Sequence, residues 1–164
     1  SISGAACDDP RHELIIADGI QYMKETDETF DVIIVDSPDP IGPGAALFTS
    51  DFYAGCKRCL TPGGILVTQN GVPFTQMAEL RDSMTALASL FTDARCYVTH
   101  VPSYVGGPMA LGWASDDGAL WRTPLVTLTS RFEKSAIDTR YYTPAVHQAS
   151  FAVPRYIEEL IVVR

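Results

Sequence analysis

The sequence predicts an α/β fold on a Rossmann-type, mostly parallel sheet that ends in an antiparallel strand pair. Three observations carry that expectation. Phe30 to Asp36 is a near-continuous β-branched run, the pattern of a strand covered on both faces of a parallel sheet. Apolar strand patterns alternate with helical ones over the first 91 residues. After them, Ala94 to Val101 and Met109 to Ser115 form a strand pair joined by a loop rich in proline and glycine.

Taken in order, His12 to Ile16 reads as a short strand ending at Ala17-Asp18-Gly19, with Ile20, Tyr22 and Met23 opening the first helix. The run from Phe30 to Asp36 should lie centrally in the sheet. Ser37 to Pro43 holds three prolines and a glycine, which break helix and strand and stiffen a loop at the strand's carboxyl end. Helix resumes near Ser50 and runs to about Leu60, stopping at Thr61-Pro62-Gly63-Gly64. Ile65 to Gln69 is the next buried strand, and a helix spans about Pro73 to Phe91. Beyond the strand pair, Ser130 to Ile137, Thr143 to Phe151 and Arg155 to Ile161 read as short helices. No internal repeat and no linker marks a second domain.

Composition narrows the function. The chain has 164 residues, 46% of them apolar, enough for one compact core, and a net charge of −8. That charge argues against nucleic acid, because neutralising phosphates takes clustered Lys and Arg, and it suits a cationic small substrate. No stretch approaches the roughly 20 apolar residues needed to cross a bilayer, so no membrane partner is expected and a cytoplasmic location is. The four cysteines are scattered, and Cys56-Lys57-Arg58-Cys59 lacks two further ligands at zinc spacing, so all read as free thiols. His12, His100 and His147 stand singly, without the spacing of a metal site or of a base beside a nucleophile.

In an open α/β sheet, ligands bind outside the carboxyl ends of the strands, which singles out Asp18, Asp36 to Gly44, and Gln69. Asp36-Ser37-Pro38-Asp39-Pro40 sets two carboxylates three residues apart on a stiff loop, able to face one pocket. Such a pair in a partly desolvated crevice can hold an ammonium group and accept a proton from it. An ion pair near 4 Å gives about 4 kcal/mol at an effective dielectric of about 20, less the cost of burial. Asp39 could instead serve the loop as an ordinary turn residue. Gly42-Pro43-Gly44 offers a bare backbone face for a flat aromatic ligand, or simply a loop-to-helix entry. Asp18-Gly19 could accept from an exocyclic amine, or cap the helix that follows. Tyr104 could orient an amine through its hydroxyl, or sit as a loop residue.

The run Asp31-Val32-Ile33-Ile34-Val35-Asp36-Ser37-Pro38-Asp39-Pro40-Ile41-Gly42-Pro43-Gly44, continuing through Leu47-Phe48 to Phe52-Tyr53, closely resembles the signature of spermidine synthases and related polyamine aminopropyltransferases. Pro62 to Asn70, Val101-Pro102-Ser103-Tyr104 with Gly106-Gly107, and Arg140 to His147 extend the resemblance over nearly the whole chain. It implies a methyltransferase-like fold and transfer of an aminopropyl group from decarboxylated S-adenosylmethionine to putrescine, with no metal or organic cofactor. It further implies Asp36 as general base, Asp39 as diamine anchor, Gln69 and Tyr104 along the diamine channel, and Asp18, Gly19, Ser37 and Pro43 on the donor side. Family members are usually dimers or tetramers.

The family pattern also includes an N-terminal β-rich segment and a glycine-rich donor loop that this sequence lacks. The expectation is therefore the C-terminal part of one catalytic domain, a fragment or half of a split enzyme, inactive alone and with a gap between the Asp18 and Asp36 strands. The competing readings are an S-adenosylmethionine-dependent methyltransferase-like protein and a non-catalytic polyamine-binding or assembly module.

Overall fold

A computed structural model describes residues 4–103 and 106–161. Its centre is a four-stranded sheet of β1 (Phe30–Val35), β2 (Leu60–Gln69), β3 (Asp93–His100) and β4 (Pro108–Ser115), in the order β1-β2-β4-β3. β1 pairs parallel with β2, whereas β4 runs antiparallel to both β2 and β3. Three of the four strands thus point the same way and β4 alone is reversed. The carboxyl ends of β1, β2 and β3 consequently share one edge, where the α/β rule places ligands.

One face of the sheet is packed by α1 (Gly19–Glu25), α2 (Ser50–Arg58) and α3 (Met77–Leu90), and the main core lies between them. In α3 the buried residues Leu80, Ser83, Met84 and Leu87 recur at steps of three and four, so one stripe of the helix faces Leu66, Ala110 and Ala114 of the strands. Truncating a fully buried leucine such as Leu66 or Leu87 would cost about 2–5 kcal/mol. Several helix ends are satisfied by side chains. The Thr49 hydroxyl accepts from the Phe52 N–H at 3.3 Å to start α2. Arg58 donates to the carbonyls of Met23 at 2.9 Å and Thr26 at 3.0 Å, which caps the end of α1.

The opposite face carries Val32, Ile65, Val67, Tyr97 and Trp113, partly roofed by α4 (Leu125–Ser135) and α5 (Pro144–Ser150), with α6 (Arg155–Leu160) completing the chain. Phe151 bridges this layer, its ring centroid 5.4 Å from Tyr97 and 6.3 Å from Trp113. The space left under the helices is an aromatic cleft of about 430 Å³.

Four expectations need correction. β1 is an edge strand of the described sheet rather than a central one, and Val32 and Ile34 are 50% and 72% exposed. Its β-branched run suits two covered faces, but on the Val32 and Ile34 face α4 and α5 roof the strand only in part. His12 to Ile16 forms no strand: no ladder among the described residues pairs with it, and its Leu14, Ile15 and Ile16 lie exposed. Thr61 to Gly64 does not end the helix before a new strand. β2 already begins at Leu60, and two steps of β1 from Phe30 to Val32 match five of β2 from Leu60 to Ile65, so the turn residues bulge out of a continuous strand. Gly63, at φ +77°, makes that bulge possible. Finally, α3 begins at Met77, not near Pro73, because Val72 to Gln76 closes a turn in which the Val72 carbonyl accepts from the Thr75 and Gln76 N–H groups. The antiparallel pair and the two last short helices fall where the sequence puts them; α4 starts earlier, directly after Pro124.

Candidate active site

The register of β1 on β2 assembles the centre of the site. Val35 faces Thr68 in the parallel ladder, so Asp36, the first residue beyond β1, is brought beside Gln69, the last residue of β2. Two polar residues distant in sequence therefore meet at the common carboxyl edge. Gln69 is buried, whereas the Asp36 and Asp39 side chains are solvent-exposed. The desolvated crevice expected around the carboxylates is thus not walled by the described residues.

The loop after Asp36 is held from within. Ser37 is buried, and the Asp39 carbonyl accepts from the Ile41 N–H at 2.6 Å. A 3₁₀ turn, Gly42–Phe48, follows with Pro43 at its start, where the residues had read as plain loop. Gly44 is buried in that turn, and a Cβ there would lie 2.7 Å from the Asp39 carbonyl oxygen and 3.1 Å from the Pro38 ring. The expected bare face for a flat ligand is accordingly narrower: Gly44 is used by the loop itself, whereas Gly42, at φ +59°, and Pro43 remain open.

From outside, Asp39 is held by a residue the sequence had not singled out. Gln76 Nε2 donates to Asp39 Oδ1 at 3.0 Å, while Gln76 Oε1 accepts from the Val72 N–H at 2.8 Å. Asn70 was missed in the same way. It is fully buried, and its Oδ1 accepts from the Thr68 hydroxyl at 2.6 Å and the Gly112 N–H at 2.9 Å, which ties the end of β2 to β4. The available signal was two amides following a buried strand, Asn70 directly and Gln76 just before a helix.

Asp18 and Gly19 belong to a separate turn. The Asp18 carboxylate accepts from the N–H groups of Ile20 at 2.8 Å and Gln21 at 3.2 Å, the capping role foreseen as its alternative. Nothing stands within 4 Å of a Cβ built on Gly19, so the surface above it is free. No hydrogen bond joins this turn to the Asp36 loop among the described residues. Tyr104 lies outside the described residues; its loop leaves β3 at the same edge and is closed by the Val101 N–H donating to the Gly107 carbonyl at 2.8 Å. His147 lines the aromatic cleft behind the sheet, where burial pushes its imidazole below the usual histidine range.

The family profile for the spermine/spermidine synthase domain matches residues 1–123. The chain belongs to the spermine/spermidine synthase family. Among curated proteins it is 54% identical to a polyamine aminopropyltransferase of Ruegeria sp. (strain TM1040), over 97% of this chain and 56% of that protein. It is 52% identical to one of Serratia proteamaculans, over 94% of this chain and 54% of that protein. Two solved structures superpose closely, each at 29% sequence identity. A spermidine synthase in complex with the transition-state analogue AdoDATO gives a TM-score of 0.87 over 98% of this chain and 55% of that one. The spermidine synthase of Thermotoga maritima gives 0.84 over 98% and 54%. The family member described here therefore spans a little over half the length of the relatives it matches, and its fold is the methyltransferase-like one that its sequence predicts.

Proposed function

We propose that the natural full-length protein is a spermidine synthase that transfers an aminopropyl group from decarboxylated S-adenosylmethionine to putrescine, releasing spermidine and methylthioadenosine. The chain serves as the C-terminal part of its catalytic domain. The observation that carries this reading is the β1–β2 register, which sets Asp36 beside Gln69 at the carboxyl edge, with Asp39 fastened to the loop that follows Gln69.

The reaction asks for what this edge offers. The attacking nitrogen of the diamine must be neutral and lie behind the carbon bonded to the sulfonium. The new C–N bond forms as the C–S bond breaks, and the electron pair goes to sulfur, which leaves as a neutral thioether. The sulfonium is already a good leaving group, so the protein's task is chiefly orientation and removal of one proton. Asp36 is the base that takes this proton from the attacking amine. Asp39 anchors the ammonium at the far end of the diamine, and on the family resemblance Gln69 and Tyr104 line the diamine channel. Asp18, Gly19, Ser37 and Pro43 face the donor. On the family resemblance alone, the assembly is a dimer or tetramer.

Mass spectrometry of the products formed by the full-length protein from the two substrates tests the reading. Spermidine from the unsubstituted protein and its loss on Asp36→Asn are expected. Methylation of an acceptor with S-adenosylmethionine, or putrescine binding with no turnover, would overturn it.

A further inference from the structure

The geometry points to Gln76 as the residue that positions the Asp39 carboxylate for the diamine, an inference that rests on the function proposed above. Asp39 and Gln76 stand 37 residues apart, on loops that follow different strands, and meet through a 3.0 Å hydrogen bond from Nε2 to Oδ1. The amide is fixed at both ends. Its oxygen is committed to the Val72 N–H at 2.8 Å, so only the NH₂ group is left to face the carboxylate, and its orientation follows from the chemistry of its two partners.

The backbone around Gln76 is built to hold this side chain. Gly71 takes φ +81°, and a Cβ there would lie 2.6 Å from Gln76 Oε1 and 2.9 Å from its Cδ, so the amide packs directly on the glycine. Gln76 occupies the N-cap position of α3 yet makes no side-chain capping bond; the side chain turns instead to Val72 and Asp39. Its backbone is held independently, with its N–H donating to the Val72 carbonyl at 2.9 Å and its carbonyl accepting from the Leu80 N–H at 3.2 Å.

A neutral donor in this place has a specific consequence. It engages one carboxylate oxygen, sets the carboxylate plane, and leaves Oδ2 and the full negative charge for an ammonium. An arginine or lysine in its place would fix Asp39 equally well and neutralise it. Gln76 is thus a positioning residue, acting on substrate only through Asp39.

The test is steady-state kinetics of the full-length protein with KM measured separately for diamine and donor, using Gln76→Leu, Gln76→Glu, Asp39→Ala and the Gln76→Leu/Asp39→Ala pair. Gln76→Glu keeps the acceptor for Val72 but replaces the donor to Asp39 with a second negative charge, so it preserves the loop closure and loses the hold on the carboxylate. The expected result is a diamine KM raised about tenfold or more by Gln76→Leu, with donor KM within about twofold. In the Asp39→Ala background, Gln76→Leu should then change the diamine KM by less than about twofold. Gln76→Glu should also disturb the diamine KM and spare the donor KM. Equal losses toward both substrates, or an undiminished Gln76→Leu effect without Asp39, would overturn the inference while leaving the enzymatic reading intact. Absence of turnover in the unsubstituted protein would instead overturn the reading on which it rests.

Discussion

The hydroxyl oxygen of Tyr141 accepts a hydrogen bond from the backbone N–H of His100 at 3.0 Å and another from the Thr99 hydroxyl at 3.1 Å, so the segment between α4 and α5 is pinned to the end of β3. These two donors hold the phenol below the usual tyrosine pKa, Thr99 contributing first. Tyr141→Phe removes the acceptor and keeps the ring. Because Tyr141 is half-exposed, water can replace part of what is lost, and a destabilisation of about 0.5–1 kcal/mol is expected in urea unfolding.

Gly112→Ala should be far more damaging than its size suggests. The added Cβ would stand 2.5 Å from Thr68 Oγ1, 2.8 Å from Leu87 Cδ1 and 3.0 Å from Asn70 Oδ1, inside the contact between β4, β2 and α3. Overpacking of this kind costs about 1–3 kcal/mol. Thr68→Ala relieves one of the three contacts, so the double variant should be more stable than the sum of the two single effects predicts, as read from paired denaturation curves.

The buried thiols predict both reactivity and pH dependence. Burial pushes Cys56 up to about 12, with Cys59 beside it adding to the effect, and burial likewise pushes Cys96 up to about 12. In the unfolded chain such thiols ionise near 8.5. The folded pKa is the higher one, so this contribution to stability is complete below about pH 8.5 and is lost as pH rises toward 12. Tyr53 and Tyr97, both raised by burial, act in the same direction at still higher pH. Denaturation midpoints should therefore decline above pH 9. Iodoacetamide at pH 7.5 should label only exposed Cys7 in the native protein and all four cysteines in denaturant, as counted by mass spectrometry.

Asp36→Asn and Asp39→Asn should separate in kinetics. Removing a general base lowers kcat by about 10²-fold or more, whereas weakening an ammonium anchor raises diamine KM first. Rapid-quench product formation with saturating diamine would distinguish them. Equal kcat losses in both variants would sink the division of roles.

Much of this was legible in residue pattern because the pattern is periodic or local. The β-branched run gave β1, the segment from about Pro73 to Phe91 was read as the helix that is α3, and the prolines after Asp36 gave the site loop. What escaped is non-local. That β1 lies at an edge depends on which strands neighbour it, and a strand's own composition records only the burial it suits. The bulge at Thr61 to Gly64 is visible only against the register of Phe30 and Val32 on the partner strand. Gln76 finds Asp39 across 37 residues, a contact that no spacing rule within one element could expose. Gly44 showed the opposite failure: a glycine read as a face for a ligand is needed for what lies beneath it.

The open flank of β1 also has a colloidal consequence. Among the described residues no strand pairs with its outer side, which lies beside exposed Val32 and Ile34, a template onto which another strand can add. The charge of −8 that two such chains would share opposes that addition. That repulsion reaches about 8 Å at 0.15 M salt but only about 3 Å at 1 M. Solutions of this chain should accordingly scatter more light as salt is added, the reverse of what dissociation of an ion-paired assembly would give, and a lysine placed at Ile34 should suppress the effect.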